Sequence, residues 1–153
     1  MTTYVDSRAL VPIYVPERFS TSARSAVRAA GQVPFTVIHE LEVSNAFELL
    51  VGRDLMSREE CRAVRQQLRD DLDSQRLLPV SLDLDEVFAR AGELSSLYAA
   101  EHLARSLDLV HVAAAHVALC SRFVSADNRQ LAVARSSGLD TLDIKRKPRR
   151  RTR

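Results

Sequence analysis

Residues 106–133, Ser-Leu-Asp-Leu-Val-His-Val-Ala-Ala-Ala-His-Val-Ala-Leu-Cys-Ser-Arg-Phe-Val-Ser-Ala-Asp-Asn-Arg-Gln-Leu-Ala-Val, decide the fold class. From Leu109 to Leu119 every residue other than His111 and His116 is apolar, and alanine and valine predominate. A helix of this kind is buried nearly all round and lets neighbouring backbones come close. Asp108 stands at its mouth. The short apolar run Phe123–Ser125 reads as a buried strand, with Asp127 just beyond it. A helix that leads into a buried strand, with a carboxylate at each boundary, belongs to an α/β sheet whose site lies at the carboxyl ends of its strands.

Outward from this stretch, strands are predicted at Thr3–Val5, Val33–Phe35, Leu77–Val80 and Thr141–Ile144. Between them come a brief helix Ser7–Tyr14, which Pro12 should kink or shorten, and a helix Glu17–Ala30 stopped by Gly31. A third, from about Val37 to Val51, takes Thr36 as its N-cap. Ser57 and Glu60 form a capping box for a polar helix to about Ser74. Another runs from Asp83 to about Arg105, and the last from Asn128 to Ser136 before Gly138. Strands alternating with helices predict a mostly parallel sheet of about five short strands with helices on both faces. The remaining glycines, Gly52 and Gly92, make no glycine-rich phosphate loop, which argues against a dinucleotide fingerprint or a Walker loop.

With 153 residues the chain has the size of one domain. Its 46% hydrophobic and 27% charged residues suit a globular protein, and no apolar run approaches the roughly 20 residues of a membrane span. Met1–Asp6 leads straight into a strand, with no basic, apolar, cleavable signal, so a cytoplasmic protein without membrane contact is expected. Cys61 and Cys120 lack metal-ligand or CxxC spacing and read as reduced structural thiols. The net charge of +2 conceals seven basic residues in the tail 145–153, while the other 15 face 20 acids. An acidic body suits a site that takes cations, and the basic tail is either a handle for polyanions such as nucleic acid or a solvated terminus without a specific role.

Four carboxylates are candidates for chemistry. Asp6 ends the first strand, where it serves equally as a helix N-cap or a site residue. Glu42 shares its helix face with Ile38, Asn45, Ala46 and Leu49, a stripe where a carboxylate is costly unless paired, protonated or metal-bound. Glu40 points elsewhere and reads as surface. Asp108 and Asp127 are each good helix caps as well. Taken together, the acids can face one crevice, where they would repel unless a cation neutralised them, and hard oxygen ligands suit Mg²⁺ or Mn²⁺. The histidines compete weakly: His111 and His116 lie about 140° apart round the helix, and His39-Glu40 is followed by Val43 where a zinc motif needs a second His. His111 is expected in the core or supporting the site near Asp108.

The segments Val5-Asp6-Ser7-Arg8-Ala9-Leu10-Val11, Leu41-Glu42-Val43-Ser44-Asn45-Ala46, Leu107 to Ala115 and Phe123-Val124-Ser125-Ala126-Asp127-Asn128-Arg129 resemble the four acidic motifs of PIN-domain proteins. In order and spacing they look most like the toxin ribonucleases of VapBC toxin–antitoxin pairs. The resemblance spans about residues 3–144, a nuclease domain followed by the tail. It implies a three-layer α/β/α sandwich, a Mg²⁺- or Mn²⁺-dependent endoribonuclease, a homodimer and inhibition by a cognate antitoxin. Carried over by position, Asp6, Glu42, Asp108 and Asp127 become the catalytic and metal-binding quartet, with Ser125 a supporting hydroxyl and Asn45 a polar neighbour. Two positions depart from the pattern. Arg8 stands where serine or threonine is common, and contacts phosphate, an inhibitor carboxylate or only solvent; Pro12 stands where lysine is frequent. A structure-selective DNA nuclease and a silent RNA- or protein-binding scaffold are the alternatives within the wider fold group.

Overall fold

The computed structural model describes residues 2–146, so the basic run from Lys147 to Arg153 lies outside the described residues. In chain order the elements are β1 (Thr3–Val5), α1 (Ser7–Tyr14), α2 (Ser20–Ala30), β2 (Val33–Phe35), α3 (Val37–Gly52), α4 (Arg58–Asp73), β3 (Leu77–Pro79), α5 (Leu84–Leu94), a π-helical turn Ser95–Ala99, α6 (Ala100–His102), α7 (Ser106–Val117), β4 (Arg122–Ser125), α8 (Asn128–Ser136) and β5 (Asp140–Asp143). Every strand pairing is parallel. Parallel neighbours need crossover helices, and the strand–helix alternation supplies them.

The five strands are hydrogen-bonded as two sheets, β1-β4-β5 and β2-β3, and not as the single sheet expected. The edge of β1 that faces away from β4 is closed by a side chain: the Val5 carbonyl oxygen accepts from Nε2 of His39 at 2.8 Å. Pro34, in the middle of β2, has no N–H to offer a ladder.

Side chains alternate across the β1-β4-β5 sheet. Val5 and Val124 pack with Leu10, Tyr14, Phe47 and the apolar faces of α2, α3 and α4. Tyr4 and Phe123 pack with Val87, Leu94, Val112 and Leu131 from α5, α7 and α8. Two cores on opposite faces of one sheet make the layers that the sequence pattern predicts. Within the second core α7 is enclosed, with every residue from Asp108 to Ala115 buried.

Local differences from the sequence expectation have local causes. α2 begins at Ser20 and not at Glu17, because the Glu17 N–H donates to Ser20 Oγ at 2.9 Å and the Phe19 N–H to Glu17 Oε1 at 2.8 Å, a turn that competes with helix. The long helix after Asp83 is interrupted by the π turn and stops at Leu103, which takes left-handed φ of 53°. Ser57 caps α4 through the Glu60 N–H. Just past α7 stands Leu119, with φ of 56°, and just past α8 Gly138, with φ of 96°. Both cysteines are buried and free, and burial pushes the Cys120 thiol up to about 11.

Candidate active site

Asp6 follows β1 directly, and its fully buried side chain does two jobs. Oδ1 accepts from the Ala9 N–H at 3.0 Å, capping α1, while Oδ2 accepts from the Ser125 hydroxyl at 3.0 Å. The cap and site readings of the sequence therefore hold at once. Burial pushes the Asp6 carboxyl up to about 6, against the lowering effects of His111, Ser125, the Ala9 N–H and Arg8. A fully buried carboxylate whose neighbours do not offset its desolvation is a place where a cation is welcome.

Glu42, half-buried on α3, accepts from Ser7 Oγ at 3.0 Å and is bonded through Oε1 to Nε2 of His111. Burial raises its carboxyl, but the His111 and Ser7 bonds outweigh this and leave it below the ordinary range. His111 is thus buried, as expected, but its bonds run to Glu42 and, through Nδ1, to the Tyr4 hydroxyl at 2.9 Å. It supports the acid Glu42 and lines the same cleft as Asp108. Asp108 has other partners, and the His111 ring reaches from the enclosed helix to β1 and α3.

Asp108 is the third residue of α7 and not its cap. Oδ2 reaches back to the Arg105 N–H at 2.9 Å, and Oδ1 accepts from Gln130 Nε2 at 3.2 Å. Asp127 does cap its helix: Oδ1 accepts from the Arg129 and Gln130 N–H groups at 2.8 and 3.1 Å. Its Oδ2 lies 2.5 Å from Arg8 Nη1 and 4.0 Å from Arg105 Nη2. Ser125 links the two strand-end acids, donating to Asp6 and accepting from the Asp127 N–H at 2.9 Å.

These elements enclose a cleft of about 360 Å³ whose wall includes Asp6, Glu42, Asp108, Arg8, Arg105, His111 and Gln130. Three of the four predicted acids, from three different elements, are brought together; Asp127 lies behind the wall, turned to the arginines. Asn45 is exposed one turn along α3 and lines a neighbouring groove with Val11, Pro12 and Leu49. Arg105, Gln130, Ser7 and Tyr4 were not singled out by the sequence reading. Arg105 had a signal, since a residue three before Asp108 sits where that carboxylate reaches back.

The donor chemistry fits a hard divalent cation: three carboxylates with no thiolate, one of them fully buried and raised to about 6. Among the described residues, no three His, Cys, Asp or Glu side chains are grouped to hold an ion as they stand. Their oxygens are spent on Ser7, Ser125, His111, Gln130 and backbone N–H groups.

No family model matches the sequence, and no curated protein does. Solved structures match over most of the chain. FitAcB from Neisseria gonorrhoeae aligns with a TM-score of 0.69 at 14% identity, over 95% of this chain and 100% of that one. PAE2754 from Pyrobaculum aerophilum aligns with a TM-score of 0.60 at 15% identity, over 95% of this chain and 90% of the other. At such identity the likeness is one of fold, and the shared fold is PIN-like.

Proposed function

From the premise of a PIN-like α/β fold, we propose that this chain is a metal-dependent endoribonuclease, the toxin of a toxin–antitoxin pair. The observation that carries the reading is the convergence of Asp6, Glu42 and Asp108, from three separate elements, on one cleft beside the carboxyl ends of parallel strands. The four-motif resemblance to VapBC toxins supports the substrate class.

Asp6, Glu42 and Asp108 are the residues that would hold Mg²⁺ or Mn²⁺; Asp127, the fourth acid of the resemblance, stands behind them against Arg8. When bound, the cation supplies an acidified water and neutralises charge on the phosphate under attack. The chain's own groups do the rest. Ser125 orients Asp6, while Ser7 and His111 fix the carboxylate of Glu42. Gln130 fixes Asp108. A carboxylate oxygen not on the cation would accept the proton of the attacking water.

The same resemblance supports a homodimer and an antitoxin partner. An apolar groove of about 470 Å³, formed by Val11, Val15, Ala46, Leu49 and Leu50, adjoins the cleft at Ser7, Arg8 and Glu42, and gives such a partner a surface. No helix of the described residues is long and apolar enough to cross a membrane.

The test is digestion of total RNA, with DNA alongside, in Mg²⁺ or Mn²⁺ and in EDTA, with Asp6→Asn as the control. Discrete RNA fragments that need both metal and Asp6 are expected. Cleavage of DNA alone, or metal-dependent cleavage that survives in D6N, would overturn the assignment.

A further inference from the structure

We infer that Arg8, anchored from behind on Asp127, and Arg105, drawn between Asp108 and Asp127, form a paired guanidinium grip for the phosphates of a strand lying in the cleft, and that Asp127 serves these arginines and not the cation. The inference rests on the nuclease reading above and deepens it.

Asp127 has little left to give a metal ion. Its side chain is 8% exposed, Oδ1 carries two backbone N–H bonds at the start of α8, and Oδ2 carries the Arg8 contact at 2.5 Å. It is also absent from the cleft wall, which Arg8 and Arg105 both form. The arginines are the reverse case. Their side chains are 55% and 59% exposed, and Arg8 commits only Nη1 to Asp127. Arg105 stands 3.6 Å from Asp108 and 4.0 Å from Asp127, close enough for charge attraction but beyond hydrogen-bond length.

A guanidinium has five N–H donors in a rigid fork that matches the two free oxygens of a phosphodiester. Anchoring one edge on a buried carboxylate holds the fork in place before the ligand arrives, so less side-chain entropy is lost on binding. The two arginines come from α1 and from the turn before α7, and both converge on Asp127. They therefore flank Asp6 and Asp108 on the cleft wall. Phosphates next to the one being cut are the anions that such a pair takes, leaving the acids to the reacting phosphate.

The experiment uses the full chain and a fluorescein-labelled single-stranded RNA oligonucleotide of mixed sequence. Binding is measured against salt in EDTA, in the D6N background, for R8A/R105A and for R62A/R69A, a control that removes two exposed arginines of α4. Two lost phosphate contacts should lower the slope of log K against log[salt] by about 1.4, with the control unchanged. In the active background R8A/R105A should raise KM with much less change in kcat, and R8K should recover part of the loss. Mn²⁺ titration by electron paramagnetic resonance should find D127N near the wild-type affinity and D108N well below it. Melting curves confirm that each variant folds.

A wild-type chain that cleaves RNA, with R8A/R105A keeping the parental slope and KM, overturns the grip alone. D127N losing Mn²⁺ as D108N does returns Asp127 to the cation. A wild-type chain that neither cleaves nor binds RNA removes the nuclease reading, and the grip with it.

Discussion

Tyr4 and Glu42 are joined through a single imidazole: His111 meets the Tyr4 hydroxyl at 2.9 Å with Nδ1 and bonds Glu42 with Nε2. Nε2 faces the carboxylate and Nδ1 shares a hydrogen bond with the phenol, so one ring meets both groups. The imidazole that orients a cleft acid is thereby tied to Tyr4, whose own ring is stacked on Phe123 in the core. Replacing Tyr4 by Phe keeps the stack and removes the donor. The variant is expected to lose about 1–3 kcal/mol in denaturant unfolding, the cost of a buried acceptor left without its partner. RNA cleavage should fall as well, while His111→Ala should lower it further.

The raised Asp6 carboxyl makes a prediction whose sign is fixed. Its folded value of about 6 lies above the ordinary 3.8, so the fold favours the protonated form. The cost of ionisation is absent near pH 4, grows through the window between 4 and 6, and is complete above it. The shift corresponds to about 3 kcal/mol. D6N should therefore melt several degrees above wild type at pH 7.5, and the difference should shrink towards zero as pH falls to 4. Melting in a pH series checks this.

His39 works in the opposite direction. Burial first, and then His111, lower its value from 6.5 to about 3, although the bond to the Val5 carbonyl and the Glu42 charge pull it up. Nδ1 accepts from the Thr36 N–H at 3.1 Å, so the ring is held neutral with its proton on Nε2. A depressed value contributes stability above pH 6.5 that is lost as pH falls towards 3. Between pH 4 and 6 this loss offsets the gain from Asp6, and D6N should show the steeper acid loss on its own. Nitrogen NMR of His39 should find a single neutral tautomer through pH 5–8.

Cation binding should act as folding energy. Mn²⁺ at a hundredfold excess over its dissociation constant should stabilise the chain by about 2.7 kcal/mol. The same addition should leave D6N and D108N unmoved. Melting with and without metal gives a readout independent of any RNA substrate.

Leu119 is 86% exposed in the left-handed region, where the Cys120 N–H bonds the Ala115 carbonyl at 2.9 Å to close α7. Gly138 closes α8 in the same manner through the Leu139 N–H and the Ala134 carbonyl, at 2.9 Å. Leu119→Gly should stabilise the protein by about 1 kcal/mol, since it removes the steric cost of a Cβ at that φ. Chemical denaturation would show it, with cleavage unchanged.

The sequence disclosed most where local rules act. The run Leu109–Leu119 announces an enclosed helix, Asp6 follows a strand, and Glu42 stands on an apolar stripe, so three acids of the cleft could be named from pattern and resemblance. What stayed hidden depends on partners far along the chain. Tyr4 and His111 are 107 residues apart, Gln130 and Asp108 22, Arg8 and Asp127 119. Nothing in the spacing around Asp127 says that an arginine of α1 would claim its free oxygen. The division of five strands into two sheets was hidden for the same reason, because it turns on a histidine side chain closing the Val5 carbonyl.

The cleft is stitched from both ends of the polypeptide: Asp6 and Glu42 come before residue 50, Asp108 and Gln130 after residue 100. During synthesis the first two acids emerge with helices α1 to α4, and their counterparts only with α7 and α8. A nascent chain paused anywhere before α7 carries half a site and no cleft. Whatever chemistry the cleft performs can begin only after α7 and α8 have been made and have folded onto the first half of the chain.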